Sequence, residues 1–303
     1  MVSRFLLSPD GPEVSSLAFG LWRLAADPEG TSTARVRSKI DACLAAGITT
    51  FDHADIYGLY TCEGLFGRAL AEDPKLRDRM EIVTKCGINA VCDNRPGVRI
   101  AHYDATADAI TRCVERSLRE LRTDRIDVLL IHRPDWLTSA EETAKGLQRV
   151  IASGKVRHVG VSNYSVHQYA LLSRFLGKAP ATNQVEISLL HMDAIWDGTL
   201  DQCQAAGVHP MAWSPLGGGR LVNGDSPEAV RTRDALKRIG AEYGATPEQM
   251  AHAWVAALPC RPQVVIGTNK PERIAEAAAS AKIRLERQHW YELWSAEIGR
   301  AHV

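Results

Sequence analysis

Four ionisable residues follow one another at the ends of short apolar runs: Asp52 in Thr-Thr-Phe-Asp52, Lys85 in Glu-Ile-Val-Thr-Lys85, and His132 in Ile-Asp-Val-Leu-Leu-Ile-His132, with Tyr57 one turn-like step beyond Asp52. An acid, an amine, an imidazole and a phenol gathered in one place suit proton transfer. A free phenol, with a pKa of about 10, is poorly matched to that task near neutrality. A neighbouring ammonium favours phenolate. At roughly 4 Å and an effective dielectric of about 20 the gross attraction is about 4 kcal/mol, enough to bring the phenol near pH 7 before desolvation is counted. Lys85 needs a carboxylate to stay charged while buried, and Asp52 can serve. His132 would orient or polarise a substrate oxygen beside Tyr57. Taken singly, each residue has an ordinary reading: a packing tyrosine, a buried Asp–Lys pair, a core histidine. His53 and Asp55 lie close by and read as residues of the pocket wall or of the layer supporting it, and Cys86 and Cys92 as buried inert thiols in preference to redox-active ones.

Strand ends that carry chemistry one after another are what a parallel barrel supplies. Apolar runs and helical periods alternate along the chain. Helices are expected over 33–46, 62–70, 105–122, 140–152, 166–175, 198–206, 229–243, 247–257, 271–281 and 285–298, and strands over 49–54, 81–85, 126–132, 156–162, 181–187, 210–214 and 263–267. Residues 4–7 and 14–19 read as a hairpin feeding the first strand. Eight strand–helix units favour a closed (β/α)₈ TIM barrel with an N-terminal β-hairpin and extra C-terminal helices over an open doubly wound sheet. A Rossmann sheet would also want G-x-G-x-x-G after its first strand, and Phe19-Gly20-Leu21-Trp22 does not supply it. One barrel takes roughly 250 residues, so a single domain over 1–303 is expected. The longest irregular stretch, 87–103, reads as a functional loop. The helix carrying Trp290 and Trp294 is expected to pack on the barrel rather than join subunits.

Thirty-six basic residues balance 36 acidic ones. This argues against nucleic acid or an anionic membrane as the main partner. Seven cysteines, an odd number, show no C-x-x-C pair, which points to a reducing compartment and no metal site. With no apolar leader stretch and no long apolar window, a cytoplasmic protein is expected, as a monomer or small homo-oligomer.

The second half carries a binding pattern. Ser162, Asn163 and Gln184 offer donors and acceptors that match an amide such as nicotinamide carboxamide. Trp213 can stack on a flat ring. The run Ser214-Pro-Leu216-Gly-Gly218-Gly-Arg220 can cradle a pyrophosphate, although such a triplet is also a common turn. The run Gly267-Thr268-Asn269-Lys270-Pro-Glu-Arg273 leads into a helix N-terminus with two basic residues, a phosphate site or else a plain cap.

In order along nearly the whole chain, Phe-Asp52-His-Ala-Asp-Ile-Tyr57-Gly, Val-Thr-Lys85, Leu-Leu-Ile-His132-Arg-Pro, Gly160-Val-Ser-Asn163, Asn183-Gln184-Val-Glu-Ile, Ser214-Pro-Leu-Gly and Gly267-Thr-Asn-Lys-Pro-Glu-Arg273 resemble the aldo-keto reductases, and bacterial oxidoreductase branches more than the mammalian aldose reductase branch. The resemblance implies a (β/α)₈ barrel, NADP(H) bound extended across the strand ends, and reversible hydride transfer to an aldehyde or ketone. It implies Tyr57 as the acid, with Lys85, Asp52 and His132 around it. It implies carboxamide contacts at Ser162, Asn163 and Gln184, and ring stacking at Trp213. Pyrophosphate contacts fall at Ser214, Leu216, Gly218 and Arg220, and cofactor-bordering positions at Gly20 and Trp22. Around the adenosine it implies Gly267, Thr268, Lys270, Arg273 and Glu276. Gly267 stands where some members carry Lys, so recognition of a 2′-phosphate leans on Lys270 and Arg273. His53 replaces a frequent Thr, and Trp213 a frequent Tyr or Phe. Two rival readings remain: a lyase using Lys85 as a Schiff-base nucleophile, and a non-catalytic NADP(H)-sensing subunit of a membrane channel.

Overall fold

The structure, a computed structural model, describes residues 2–299; the ends of the expected 1–303 domain lie outside the described residues. Eight parallel strands close into a barrel. They are β1 (Leu17–Gly20), β2 (Thr50–Asp52), β3 (Glu81–Cys86), β4 (Ile126–Ile131), β5 (Val156–Ser162), β6 (Asn183–Glu186), β7 (Met211–Trp213) and β8 (Gln263–Ile266). Each pairs with the next, and β8 closes on β1 with Ile266 opposite Phe19. The fold is a (β/α)₈ TIM barrel, as the alternation of apolar runs and helices predicts.

The period of two in each strand sorts its side chains. Val83 joins Val128, Leu130 and Met211 inside the barrel. Cys86, Leu129 and Ile131 face the helical layer. Lys85, two residues past Val83, therefore points inward at the C-terminal mouth. Strand β5 carries Gly160 where it crosses β4 and β6 closely. A Cβ there would sit 2.7 Å from Leu130 Cδ2 and 2.9 Å from the Thr182 carbonyl oxygen. The variant Gly160→Ala is expected to lose about 1–3 kcal/mol of stability through overpacking. A denaturant melt with an unchanged midpoint would contradict that close approach.

Helices surround the barrel: α1 (Thr33–Ala46), α2 (Cys62–Glu72), α3 (Ala107–Leu121), α4 (Ala140–Ala152), α5 (Val166–Leu176), α6 (Thr199–Ala205), α7 (Pro227–Glu242), α8 (Pro247–Ala256), α9 (Pro271–Ala279) and α10 (Arg287–Ile298). Their ends follow local chemistry. Ser32 accepts from the Arg35 N–H to start α1, and Gly47 stops it in the left-handed region at φ 81°. The N-terminal hairpin pairs Arg4–Leu6 with Glu13–Ser15. Its Leu7 and Val14 are fully buried in the interior cluster that plugs the barrel floor. Helix α10 packs on the helical layer, against α7 and α8. The indoles of Trp254 and Trp290 stack at 4.8 Å, and each indole N–H donates to the other residue's carbonyl.

The 87–103 stretch is not wholly irregular. Ile88–Asn89 and His102–Tyr103 form a two-stranded antiparallel ribbon. Two-residue strands leave no period to read. The six-residue 3₁₀ helix over Pro74–Arg79 is too short to show an apolar period in the sequence. Among the described residues no helix is long and apolar enough to cross a membrane.

Candidate active site

The barrel brings Asp52, Tyr57, Lys85 and His132 together. Asp52 ends β2, Lys85 lies one residue before the end of β3, and His132 follows β4 directly. Lys85 is fully buried, and its ammonium donates to Asp52 Oδ1 at 2.7 Å, the His53 carbonyl oxygen at 2.7 Å and Tyr57 Oη at 3.1 Å. These three contacts use all of its N–H groups. The Tyr57 oxygen accepts from Lys85, which leaves the phenol's own proton available. Gln184 Nε2 donates to the same Asp52 oxygen at 2.9 Å, so β6 helps hold the carboxylate. The His132 ring stands edge-on to Tyr57 with centroids 5.9 Å apart.

The electrostatics differ from the sequence expectation in one respect. Burial pushes the Tyr57 phenol up, Lys85 pulls it down, and the sum lies above its ordinary value, not near neutrality. Coulomb attraction alone therefore overstated the tuning: desolvation of a phenolate at this depth outweighs one ammonium. Burial works against the Lys85 charge too, yet Asp52 and Tyr57 hold its pKa above the ordinary amine value. Burial, then Lys85 and Arg133, push His132 well down, which makes it a neutral imidazole. At neutral pH the cluster is a protonated phenol on a permanent ammonium beside a neutral imidazole.

Of the two readings for His53 and Asp55, the structure has them in the layer behind the site and not in the pocket wall. His53 is fully buried edge-on against Phe66 at 4.5 Å, and burial followed by Lys85 takes its pKa to about 3. Asp55 pairs with Arg116 of α3 at 2.9 Å; burial raises its pKa to about 6 against the pull of that guanidinium. Alternation along Asp52-His53-Ala54-Asp55 sends both outward to the helical layer. The segment after Tyr57 is strained: Leu59 and Tyr60 are non-glycine residues at φ 52° and 72°. Tyr60 fixes it in place, donating to the Ile88 carbonyl at 3.1 Å and accepting from Ala90 N–H at 2.9 Å. The ribbon over 87–103 is thus tied to the Tyr57 turn. All seven cysteines are free thiols, Cys86 buried and Cys92 half-buried.

A second group lies across the mouth. Ser162 Oγ donates to the Gln184 carbonyl at 2.9 Å and lies 2.7 Å from Asn163 Nδ2. Asn163, at φ 57°, accepts from the Trp213 indole at 3.3 Å. The Asn163 amide thus locks the half-buried Trp213 ring. The glycine run turns through positive φ at Gly217, Gly218 and Gly219. Arg220 Nε caps the Gly217 carbonyl at 2.9 Å, and Arg23 reaches across the mouth to the Gly218 carbonyl at 3.1 Å. Leu216 lines a cavity of about 440 Å³ between this loop and α7 and α8, with Arg233 and Lys237 in its wall. Ser214 is a further left-handed position at φ 52°.

Gly20 lies at the end of β1, where a Cβ would meet Val265 Cγ1 at 3.0 Å, and Trp22 beyond it is 62 % exposed. Gly267, Lys270, Arg273 and Glu276 are exposed and Thr268 is half-buried. Asn269 between them turns inward. It accepts from the buried Lys39 at 3.0 Å and donates to the Arg23 carbonyl at 2.7 Å, while Arg35 donates to its carbonyl at 2.7 Å. Asp27 ties Lys39 and Arg35 together at 2.6 and 3.0 Å. This brace holds the 267–270 turn rigid. Sequence reasoning missed it because its partners lie more than 200 positions apart, as with Lys39 and Asn269.

The mouth of this parallel barrel gathers a protonated phenol, an ammonium and a neutral imidazole. The profile of the aldo/keto reductase family matches residues 16–298, and the chain belongs to that family. It is similar to a 6-dehydroglucose reductase of Agrobacterium fabrum, 47 % identical over 299 residues that cover 99 % of each chain. A second 6-dehydroglucose reductase, from Novosphingobium aromaticivorans, is 40 % identical and covers 97 % of this chain and 95 % of its own. Among solved structures, the glycerol dehydrogenase of Gluconobacter oxydans shares the fold with a TM-score of 0.85 at 24 % identity, covering 97 % of this chain and 95 % of that one.

Proposed function

We propose that this chain is an NADPH-dependent reductase of aldehydes borne on hydroxylated chains, with Tyr57 as the proton donor and 6-dehydroglucose as a substrate. The observation that carries the chemistry is the triple use of the Lys85 ammonium. It donates to the phenol oxygen, which leaves the Tyr57 O–H free to donate to a substrate oxygen. Two relatives of 40 % identity or more that bear the name 6-dehydroglucose reductase support the substrate.

The residues present fit a nicotinamide dinucleotide. Ser162, Asn163 and Gln184 supply amide-matching groups beside a locked Trp213 ring. Lys270 and Arg273 stand exposed on a braced turn, without a carboxylate partner among the described residues. When bound, the reduced nicotinamide supplies the hydride. As negative charge grows on the substrate oxygen, Tyr57 gives up its proton, and Lys85 stabilises the phenolate left behind. Asp52 and Gln184 keep Lys85 charged and aimed. The neutral His132 donates an N–H to the same oxygen and fixes the carbonyl against Tyr57. A Schiff-base role for Lys85 fits poorly: its amine is charged, fully buried and committed to three acceptors.

The double variant Lys270→Ala/Arg273→Ala is expected to weaken NADPH binding by about tenfold or more, since each lost contact is a charge-assisted hydrogen bond, and to leave NADH binding nearly unchanged. Titration of intrinsic tryptophan fluorescence with each cofactor reads this. Equal losses for both cofactors would remove the assignment of a 2′-phosphate to these residues. Activity is tested by NADPH and NADH oxidation over a panel of aldehydes, ketones and 6-dehydroglucose. Cofactor binding without turnover on any carbonyl would contradict the reductase reading.

A further inference from the structure

The residue after His132 is an arginine whose guanidinium meets the Trp213 ring and no carboxylate among the described residues. Arg35, Arg77 and Arg116 are each held by a buried carboxylate. Arg133 has no ion pair and no hydrogen bond among the described residues, although it is only half-exposed. Its guanidinium carbon lies 5.9 Å from the centre of the Trp213 ring. In the barrel order β5 and β6 separate β4 from β7. The Trp213 indole reaches Asn163 at the end of β5, next to β4, so the guanidinium and the ring meet above the strand ends at the mouth. It also stands close enough to His132 for its charge to act on the imidazole. With no acceptor among the described residues, its planar N–H groups are available to a ligand in the mouth.

We propose that Arg133 determines substrate specificity, donating from its planar fork to hydroxyl oxygens near the aldehyde, so that hydroxylated aldehydes are preferred over plain ones. The proposal rests on the reductase reading above and extends it to substrate selection. Guanidinium N–H groups point in fixed directions and match two neighbouring oxygens at once. The partly exposed indole of Trp213 beside it offers an apolar face for the C–H side of such a chain. Charge alone would not demand an arginine: a lysine carries the same charge but cannot span two oxygens with one planar group.

The test compares glyceraldehyde with propanal, which has the same carbon chain without the hydroxyls. The readout is the ratio of their kcat/KM values in wild type, Arg133→Met and Arg133→Lys. The ratio is expected to favour glyceraldehyde in wild type and to fall about 10–100-fold in Arg133→Met, the range for lost hydrogen bonds to a charged group. Arg133→Lys should recover only a minor part of that preference. NADPH titration of each variant confirms that the cofactor still binds. A ratio that does not change, with both substrates losing equally, would overturn the proposal, as would full recovery by lysine. If the ratio of succinic semialdehyde to butanal collapses instead, Arg133 reads a carboxylate and the hydroxyl assignment is wrong. A wild type inactive on every aldehyde would sink the reductase reading itself, an outcome distinct from an active enzyme with an unmoved ratio.

Discussion

Replacing Tyr57 with Phe is expected to lower carbonyl-reduction turnover by about 10²–10⁴-fold, the usual contribution of a positioned general acid, and to leave NADPH binding intact. The substitution removes one oxygen. The ring stays packed edge-on to His132, and Lys85 keeps its contacts to Asp52 and the His53 carbonyl. Folding is therefore little affected, and the loss reports on the proton alone. Steady-state kinetics should place it in kcat, because the proton moves only in the transition state. A Tyr57→Phe enzyme with wild-type turnover would show that another group, His132 or a water, supplies the proton.

Lys85→Met should do double damage. Turnover is expected to fall by about 10²–10³-fold, because the ammonium proposed to stabilise the phenolate left on Tyr57 is gone; the gross attraction of about 4 kcal/mol at roughly 4 Å and an effective dielectric of about 20 sets the ceiling. Stability falls as well, by about 3–5 kcal/mol, because Asp52 is left buried with a charge and no counter-ion. Asp52 is 2 % exposed, so water does not substitute. The two losses separate in the double variant Asp52→Asn/Lys85→Met. Removing the stranded charge should restore much of the stability, read by denaturant melts, and none of the turnover. Recovery of both together would mean that Lys85 acts only as a structural partner of Asp52.

Much of this molecule is legible in its sequence, for physical reasons. Helices α1 and α4 have the bounds expected of them, because Ser32 and Ser139 cap them and apolar faces recur at helical spacing. Strand ends announce themselves where an apolar run meets Asp52 or His132. What escapes is what burial and distance decide. Whether a phenol rises or falls depends on how much water reaches it, and the direction found for Tyr57 opposes the one that charge alone suggests. His53 and Asp55 sit beside Asp52 in sequence, yet the strand end turns them to the other side. The Lys39–Asp27–Asn269 brace and the span of Arg133 to Trp213 join residues that no local pattern connects.

The central claim is that Tyr57 delivers the proton in NADPH-driven reduction of an aldehyde on a hydroxylated chain. The most direct measurement mixes stoichiometric enzyme, NADPH and 6-dehydroglucose, and follows NADPH loss together with glucose formed. Wild type is predicted to convert both in equal amounts, and Tyr57→Phe to bind NADPH yet form almost no glucose. Equal glucose from both proteins, or none from wild type with saturating cofactor, would contradict it.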